Sequence, residues 1–320
     1  MQRRTRAALG VILLVLTACS GAATGTSATP TTPTPSVGAT ASPTATPAAT
    51  ETPTPPPQPV VSSGSIMVGS MERGYRIAVP PGIDSGGSVP LMLVLHGYTM
   101  DPYQMAGVTG FDGIAQDPGW LVVYPAGTGT RNQDSGWNAG GCCEPANTDG
   151  VDDVGFLAAL VDQLEADYPV DPARVFIVGG SNGGEMAYRA ACERSDLFAA
   201  VVNLIGTLLV PCNLTTPISV LDVHGTADTA IGYDGGGDCQ QVECPSVAQT
   251  MERIRQADGC TGDPTVTTEG VVVTTTFSEC SGGVEVTFIK AIGKGHAWYA
   301  SAPNDRVVTL AFLMAHPRMH

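Results

Sequence analysis

Cations are scarce in this sequence. Fifteen Lys and Arg face thirty Asp and Glu, only 14% of 320 residues are charged, and the formal net charge is −15. A chain this acidic repels polyanions, so nucleic acid is excluded as a partner. Membrane-spanning length is also missing near the N-terminus. The apolar run Val11 to Leu16 falls well short of the about 20 residues a transmembrane helix needs. Nucleotide-binding signatures are absent, because Gly235-Gly236-Gly237 lacks the strand and helix such a loop requires. No His/Cys/Asp cluster has metal-ligand spacing, and Asp234 and Asp238 do not match a calcium loop. Disorder of the whole chain is excluded by a hydrophobic content of 43%.

The N-terminal sixty residues differ from the rest. Arg3, Arg4 and Arg6 precede the short apolar run, as in a secretory signal. Leu16-Thr17-Ala18-Cys19 then resembles the lipobox of bacterial lipoproteins, which implies a signal over residues 1–19, lipidation at Cys19 and anchoring to the outer face of a bacterial membrane. Residues 20–60 hold ten prolines, twelve threonines and the single charge Glu51. That composition predicts a solvated, extended linker with nothing to bury, reaching at most roughly 120 Å at about 3.1 Å per residue. Residues 61–320 carry 12 basic and 29 acidic side chains and suit one large domain.

Within that domain, Ile66–Ser70 and Tyr75–Val79 read as edge strands. Continuous apolar runs at Leu91–Leu95, Leu121–Tyr124 and Val175–Val178 read as strands buried on both faces. Leu157, Val161, Leu164 and Tyr168 recur at helical spacing until Pro169, with Asp152-Asp153 as N-terminal caps. Further strands are expected at Ala199–Leu204, Ile218–His224, Val271–Phe277 and Val284–Ala291, and helices at Gly183–Glu193, Val247–Asp258 and Val307–Ala315. This alternation predicts an α/β fold: a mostly parallel, doubly wound sheet with helices on both faces.

Gly179-Gly180-Ser181-Asn182-Gly183 follows one of those strands and opens a helix. A serine on such a turn exposes its Oγ at the sheet's carboxyl edge, and the next amide, of Asn182, faces an oxyanion. Serine needs a base, and the base needs an orienting acceptor. Of five histidines, His296 lies in a Gly-rich loop after the last strand, His96 and His224 end strands, and His316 and His320 lie in the tail. Asp228 follows the strand ending at His224, whereas Asp222 is mid-strand and Asp234 lies further along the loop. The candidate triad is therefore Ser181, Asp228 and His296. The loop His96-Gly97-Tyr98-Thr99 should supply a second oxyanion donor, the amide of Tyr98. Trp137 and Trp298 are candidate walls of a substrate cleft.

Several motifs occur together in order: Leu95-His96-Gly97, Trp137-Asn138, Cys142-Cys143, Val151-Asp152-Asp153-Val154-Gly155-Phe156, Gly180-Ser181-Asn182-Gly183-Gly184, Ala191-Cys192, His224-Gly225-Thr226-Ala227-Asp228 and Gly295-His296-Ala297-Trp298. Jointly they resemble the secreted poly(3-hydroxybutyrate) depolymerase and feruloyl esterase group of α/β-hydrolases, which includes LpqC-type lipoprotein esterases. The resemblance spans Gly74 to Ala315 and implies the α/β-hydrolase fold, the same triad and a serine esterase needing no cofactor. It implies ester substrates, either polyester oligomers or feruloyl and acyl sugar esters, and a membrane contact through the lipid anchor only. Tyr299 and Tyr98-Thr99 depart from the group's usual residues at positions expected to border the cleft. An acyltransferase of the same fold, or an envelope binding lipoprotein with a vestigial site, are the competing readings. Apart from Cys19, eight cysteines remain. Cys260 with Cys280 and Cys239 with Cys244 are the expected bridges, and Cys142, Cys143, Cys192 and Cys212 are left to pair in an open order.

Overall fold

The computed structural model describes residues 57–116, 119–237 and 239–318. The expected signal, Cys19 and nearly all of the linker lie outside the described residues. The first strand starts at Val60, one residue inside the stretch assigned to the linker.

Among the described residues, ten strands form one sheet. In chain order they are β1 (Val60–Val68), β2 (Met71–Val79), β3 (Val89–Leu95), β4 (Leu121–Pro125), β5 (Val170–Gly180), β6 (Ala200–Leu204), β7 (Ser219–Gly225), β8 (Thr265–Glu269), β9 (Val272–Phe277) and β10 (Val286–Ala291). Their spatial order is β1-β2-β4-β3-β5-β6-β7-β10-β9-β8. The six from β4 to β10 run parallel, and antiparallel hairpins close both ends. β2 pairs on both sides and only β1 is an edge on that flank, so the expected pair of edge strands is corrected.

Alternation along the parallel strands builds two cores. Leu91, Leu93 and Leu95 point to one face, while Met92 and Val94 point to the other. On the first face pack α3 (Asp153–Asp167), α4 (Asn182–Glu193) and α5 (Val247–Ala257), through side chains such as Phe156, Leu160, Tyr188 and Ile254. On the second pack α1 (Pro102–Thr109), α2 (Asp112–Gln116) and α6 (Asp305–Ala315), through Met105, Ile114 and Leu313. Each such large apolar side chain contributes about 1.5–3 kcal/mol on full burial.

Asp152 caps α3 by accepting from the Gly155 amide. Asp153 does not cap. It is buried, pairs with Arg73 at 2.6 Å and accepts from the Asn138 amide, fastening the 137–151 loop to β2. Among the described residues, four disulfides join Cys142–Cys143, Cys192–Cys212, Cys239–Cys244 and Cys260–Cys280. The last closes the β8–β9 hairpin at its base.

Candidate active site

Ser181 stands between β5 and α4 at φ 55°, ψ −126°. A non-glycine residue there is strained, at a cost on the order of 1–3 kcal/mol, and its surroundings must hold it. Its amide donates to the Leu204 carbonyl at 2.8 Å, and its carbonyl accepts from the amides of Gly184 and Glu185. The glycines make the turn sterically possible. A Cβ on Gly179 would strike the Gly183 carbonyl, and a Cβ on Gly183 would strike the carbonyls of Leu95 and His96.

His296 comes from the loop after β10 and Asp228 from the turn after β7. His296 Nε2 lies 2.9 Å from Ser181 Oγ, and His296 Nδ1 lies 2.7 Å from Asp228 Oδ2. A carboxylate only accepts, so Nδ1 carries the proton and Nε2 is left to accept from the serine hydroxyl. Asp228 Oδ1 accepts from the amides of Ala230 and Ile231 at 2.9 and 3.0 Å. Burial alone would raise the pKa of Asp228. Hydrogen bonds from His224, His296 and Ile231 outweigh it and hold the carboxylate well below its ordinary range.

The loop after β3 turns back beside Ser181. Met100 N–H closes it onto the Gly97 carbonyl at 3.1 Å, with Thr99 at φ 67°. The amides of Tyr98 and Asn182 have no acceptor among the described residues. His96 is buried and serves the loop: Nδ1 donates to the Gly97 carbonyl and Nε2 accepts from the Gly127 amide. Burial lowers its pKa to about 4, so its ring is neutral.

Two sequence expectations about aromatic residues are corrected. Trp137 is fully buried and forms no cleft wall. Its Nε1 donates to the His96 carbonyl at 2.9 Å and its backbone amide donates to Asn182 Oδ1, so it braces both sides of the serine turn from beneath. Tyr299 is also buried, and its hydroxyl donates to the Gly295 carbonyl. Trp298 is half-buried with its edge on Phe111, and it lines a cavity of about 300 Å³ with Ser181, His296, Met105, Val108 and Ile205. A smaller cavity of about 150 Å³ opens on the other side of Ser181, against Tyr98, the Cys142–Cys143 bridge, Ile231 and Gln240. Cys142, Cys143 and Glu185 lie close enough together to suggest metal ligands. The two sulfurs are bonded to each other and offer no thiolate.

His224 and the buried Tyr188–Asp222–Asn203 cluster behind the triad are not singled out by sequence reasoning. Tyr188 Oη and Asn203 Nδ2 both donate to Asp222 Oδ2 at 2.6 Å. The sequence signals for His224 are its place at a strand end and at the head of the motif that closes on Asp228.

Fold and serine turn together make this chain an α/β-hydrolase. Its architecture is similar to an acetyl xylan esterase from Aspergillus awamori (TM-score 0.58, 15% identity, 79% of this chain and 99% of that one). It is also similar to an S-formylglutathione hydrolase from Agrobacterium tumefaciens (TM-score 0.53, 13% identity, 82% and 96%). Residues 113–234 match the prolyl oligopeptidase family. In sequence, the chain is 31% identical over 254 residues to a protein of Nocardia uniformis named "Putative esterase NocK", covering 73% of this chain and 72% of that one. Feruloyl esterase C of Emericella nidulans is 34% identical over 179 residues (56% and 62%), and feruloyl esterase B of Piromyces equi 27% over 236 residues (70% and 42%). The chain thus spans less than two thirds of both feruloyl esterases. It belongs to this esterase family of α/β-hydrolases and is a serine carboxylic ester hydrolase.

Proposed function

We propose that Ser181, His296 and Asp228 are the nucleophile, base and orienting acid of that hydrolysis. The observation that carries this reading is the unbroken contact line Ser181 Oγ, His296 Nε2, His296 Nδ1, Asp228 Oδ2, with steps of 2.9 and 2.7 Å. Ser181 Oγ attacks the ester carbonyl while His296 Nε2 takes its proton. The tetrahedral oxyanion is met by the amides of Asn182 and Tyr98, where losing one donor typically costs on the order of 100- to 1000-fold in rate. His296 returns the proton to the departing alkoxide, leaving an acyl-enzyme. Water, deprotonated by the same nitrogen, then releases the acid and restores Ser181.

The acyl group enters the larger cavity, whose lining is apolar apart from Ser181, His296 and Tyr98. Neutral aryl or short aliphatic acyl groups suit it, and an anionic acyl group would be desolvated there without a partner. Feruloyl and acyl sugar esters and neutral polyester oligomers all fit this lining, whereas solid polyester, with no polymer-binding module among the described residues to hold it, is a poorer substrate. The enzyme acts outside the cytoplasm, exported by residues 1–19, lipidated at Cys19 and tethered by the Thr/Pro-rich stretch to the bacterial membrane's outer face.

The test is turnover of a small ester panel by the purified enzyme and by Ser181→Ala and His296→Ala. Each variant should lose activity by at least about 1000-fold with its melting temperature preserved. Activity within tenfold of wild type in either variant overturns the assignment. Fractionation of the full chain against Cys19→Ala tests the anchor: the variant should leave the membrane fraction, and unchanged membrane association would refute lipidation.

A further inference from the structure

Four donors surround the carboxylate of Asp228. Two backbone amides, of Ala230 and Ile231, occupy Oδ1. Oδ2 is shared between two histidines: His296 Nδ1 at 2.7 Å and His224 Nε2 at 3.4 Å. His224 is fully buried at the end of β7 and touches neither Ser181 nor the cavities beside it. Its Nε2 faces two acceptors, the Ile231 carbonyl at 2.9 Å and the Asp228 carboxylate. An imidazole nitrogen between two acceptors must carry a proton, so Nε2 bears an N–H that bonds the Ile231 carbonyl and turns its positive end toward the acid, whatever the state of the other nitrogen.

We propose that His224 is a positioning residue for Asp228, holding Oδ2 from behind so that its free lone pair points at His296 Nδ1. This role rests on Asp228 being the triad acid. The geometry assigns the work as follows. The amides of Ala230 and Ile231 hold Oδ1, which leaves Oδ2 to face the two histidines. His224 ties the 228–231 turn through the Ile231 carbonyl and sets its Nε2 3.4 Å from Oδ2, backing the oxygen that faces His296. The ring is held in place by packing against Tyr233, with centroids 6.0 Å apart.

The electrical surroundings are consistent with that role. Asp222 lies two residues earlier on β7, buried with Tyr188 and Asn203 on its Oδ2. Tyr233 and Asp234 come from the following loop, Lys290 Nζ on β10 sits 5.2 Å over the Tyr233 ring, and Tyr299 and His296 come from the loop beyond. Burial would strip His224 of protons, but the carboxylates of Asp228 and Asp222 more than offset it and its proton affinity rises.

His224→Asn and His224→Phe both remove the donor at the Nε2 position, the first keeping polarity and the second keeping ring volume. His224→Gln restores an N–H at about that reach. For the two donorless variants kcat should fall about 10- to 100-fold, as expected for one hydrogen bond to a charged group, with KM nearly unchanged. The acidic limb of the kcat/KM profile should move up by roughly one pH unit, because a carboxylate relieved of one donor holds protons, its own and its partner's, more tightly. His224→Gln should return both quantities most of the way. A merely structural histidine would lower the melting temperature and leave the limb in place. Donorless variants with wild-type kcat and an unmoved limb overturn the proposal, and so does a Gln variant no better than Asn at equal melting temperature. If one donorless variant does not fold, the other carries the same comparison. Asp228→Asn separates the two readings: if it too retains activity, the triad assignment fails; if it is inactive while the His224 variants behave as wild type, only the positioning role fails.

Discussion

The hydroxyl of Tyr299 donates to the carbonyl of Gly295 at 2.6 Å, fastening the residue that immediately precedes His296. The same tyrosine's amide donates to Asp305 Oδ2 at the start of α6. The proposed base is thus held by a Gly-rich loop pinned to a helix N-terminus from within. Burial, with Asp305 and Asp228 nearby, keeps the phenol protonated at any working pH, so the donor is always present. Tyr299→Phe should lower stability by about 1 kcal/mol, the usual net worth of a neutral hydrogen bond. It should also lower kcat several-fold while KM stays within twofold. Thermal unfolding and steady-state kinetics on one small ester check both. An unchanged kcat would mean the loop holds His296 without this anchor.

Gly183 has no such latitude. The carbonyls of Leu95 and His96 occupy the space a methyl group would need, and backbone cannot swing aside as a side chain can. Gly183→Ala should therefore displace either the start of α4 or the loop after β3, the two elements carrying the proposed oxyanion donors. Overpacking of this kind costs about 1–3 kcal/mol. Activity should fall by at least about 100-fold, as for a lost oxyanion donor. A variant with wild-type turnover would show that the donors do not depend on this approach.

These two relationships differ in how far the sequence reveals them. The turn at Ser181 is legible because its parts are adjacent: an apolar strand, small residues around a serine, then a helical pattern. The same holds for the central strands, buried on both faces and so written as unbroken apolar runs. Asp228 and His296 are found by chain order and by what precedes them. α1 is less visible, although Asp101 and Gln104 form a capping box around Pro102, because its few apolar positions make no clear stripe. β8 carries no burial signal, since all five of its residues are exposed. Trp137 and Trp298 look alike as sequence, each an aromatic in a loop beside a motif. Only the tertiary path of the 137–151 loop, tied by Arg73 and Asp153, sends one ring under the serine turn and leaves the other at its mouth.

Stability should depend on pH through two buried carboxyls. Burial pushes the pKa of Asp258 and of Asp305 up to about 7, and the amides of Ile218 and Tyr299 only partly offset it. Both values lie above the unfolded one, near 3.8. The folded state therefore holds protons that the unfolded state releases. Their contribution is complete below the unfolded value and is lost as pH rises toward about 7, at up to about 1.4 kcal/mol per pH unit for each group. The melting temperature should fall between pH 5 and pH 7.5, and Asp258→Asn should fall less over that range. Equal slopes for variant and wild type would remove Asp258 as a source.

Trp298 should discriminate among acyl groups. Its half-buried face lines the larger cavity, and an aromatic pair there is worth about 0.5–1.5 kcal/mol beyond area burial. Trp298→Ala should lower kcat/KM for methyl ferulate about tenfold and for a short acetyl ester much less. Wild-type enzyme should cleave methyl ferulate faster than it clears a suspension of solid polyhydroxybutyrate. Rapid clearing with inert methyl ferulate would reverse the substrate preference and leave the triad standing.

The catalytic assignment meets its most direct test in active-site labelling. A fluorophosphonate reacts only with a serine whose proton is being withdrawn. Intact mass and peptide mapping should find one adduct, on Ser181, in the wild-type enzyme. They should find none in Ser181→Ala, and labelling should be slowed by at least about 100-fold in His296→Ala. An adduct on any other residue, or undiminished labelling of Ser181→Ala, would contradict it.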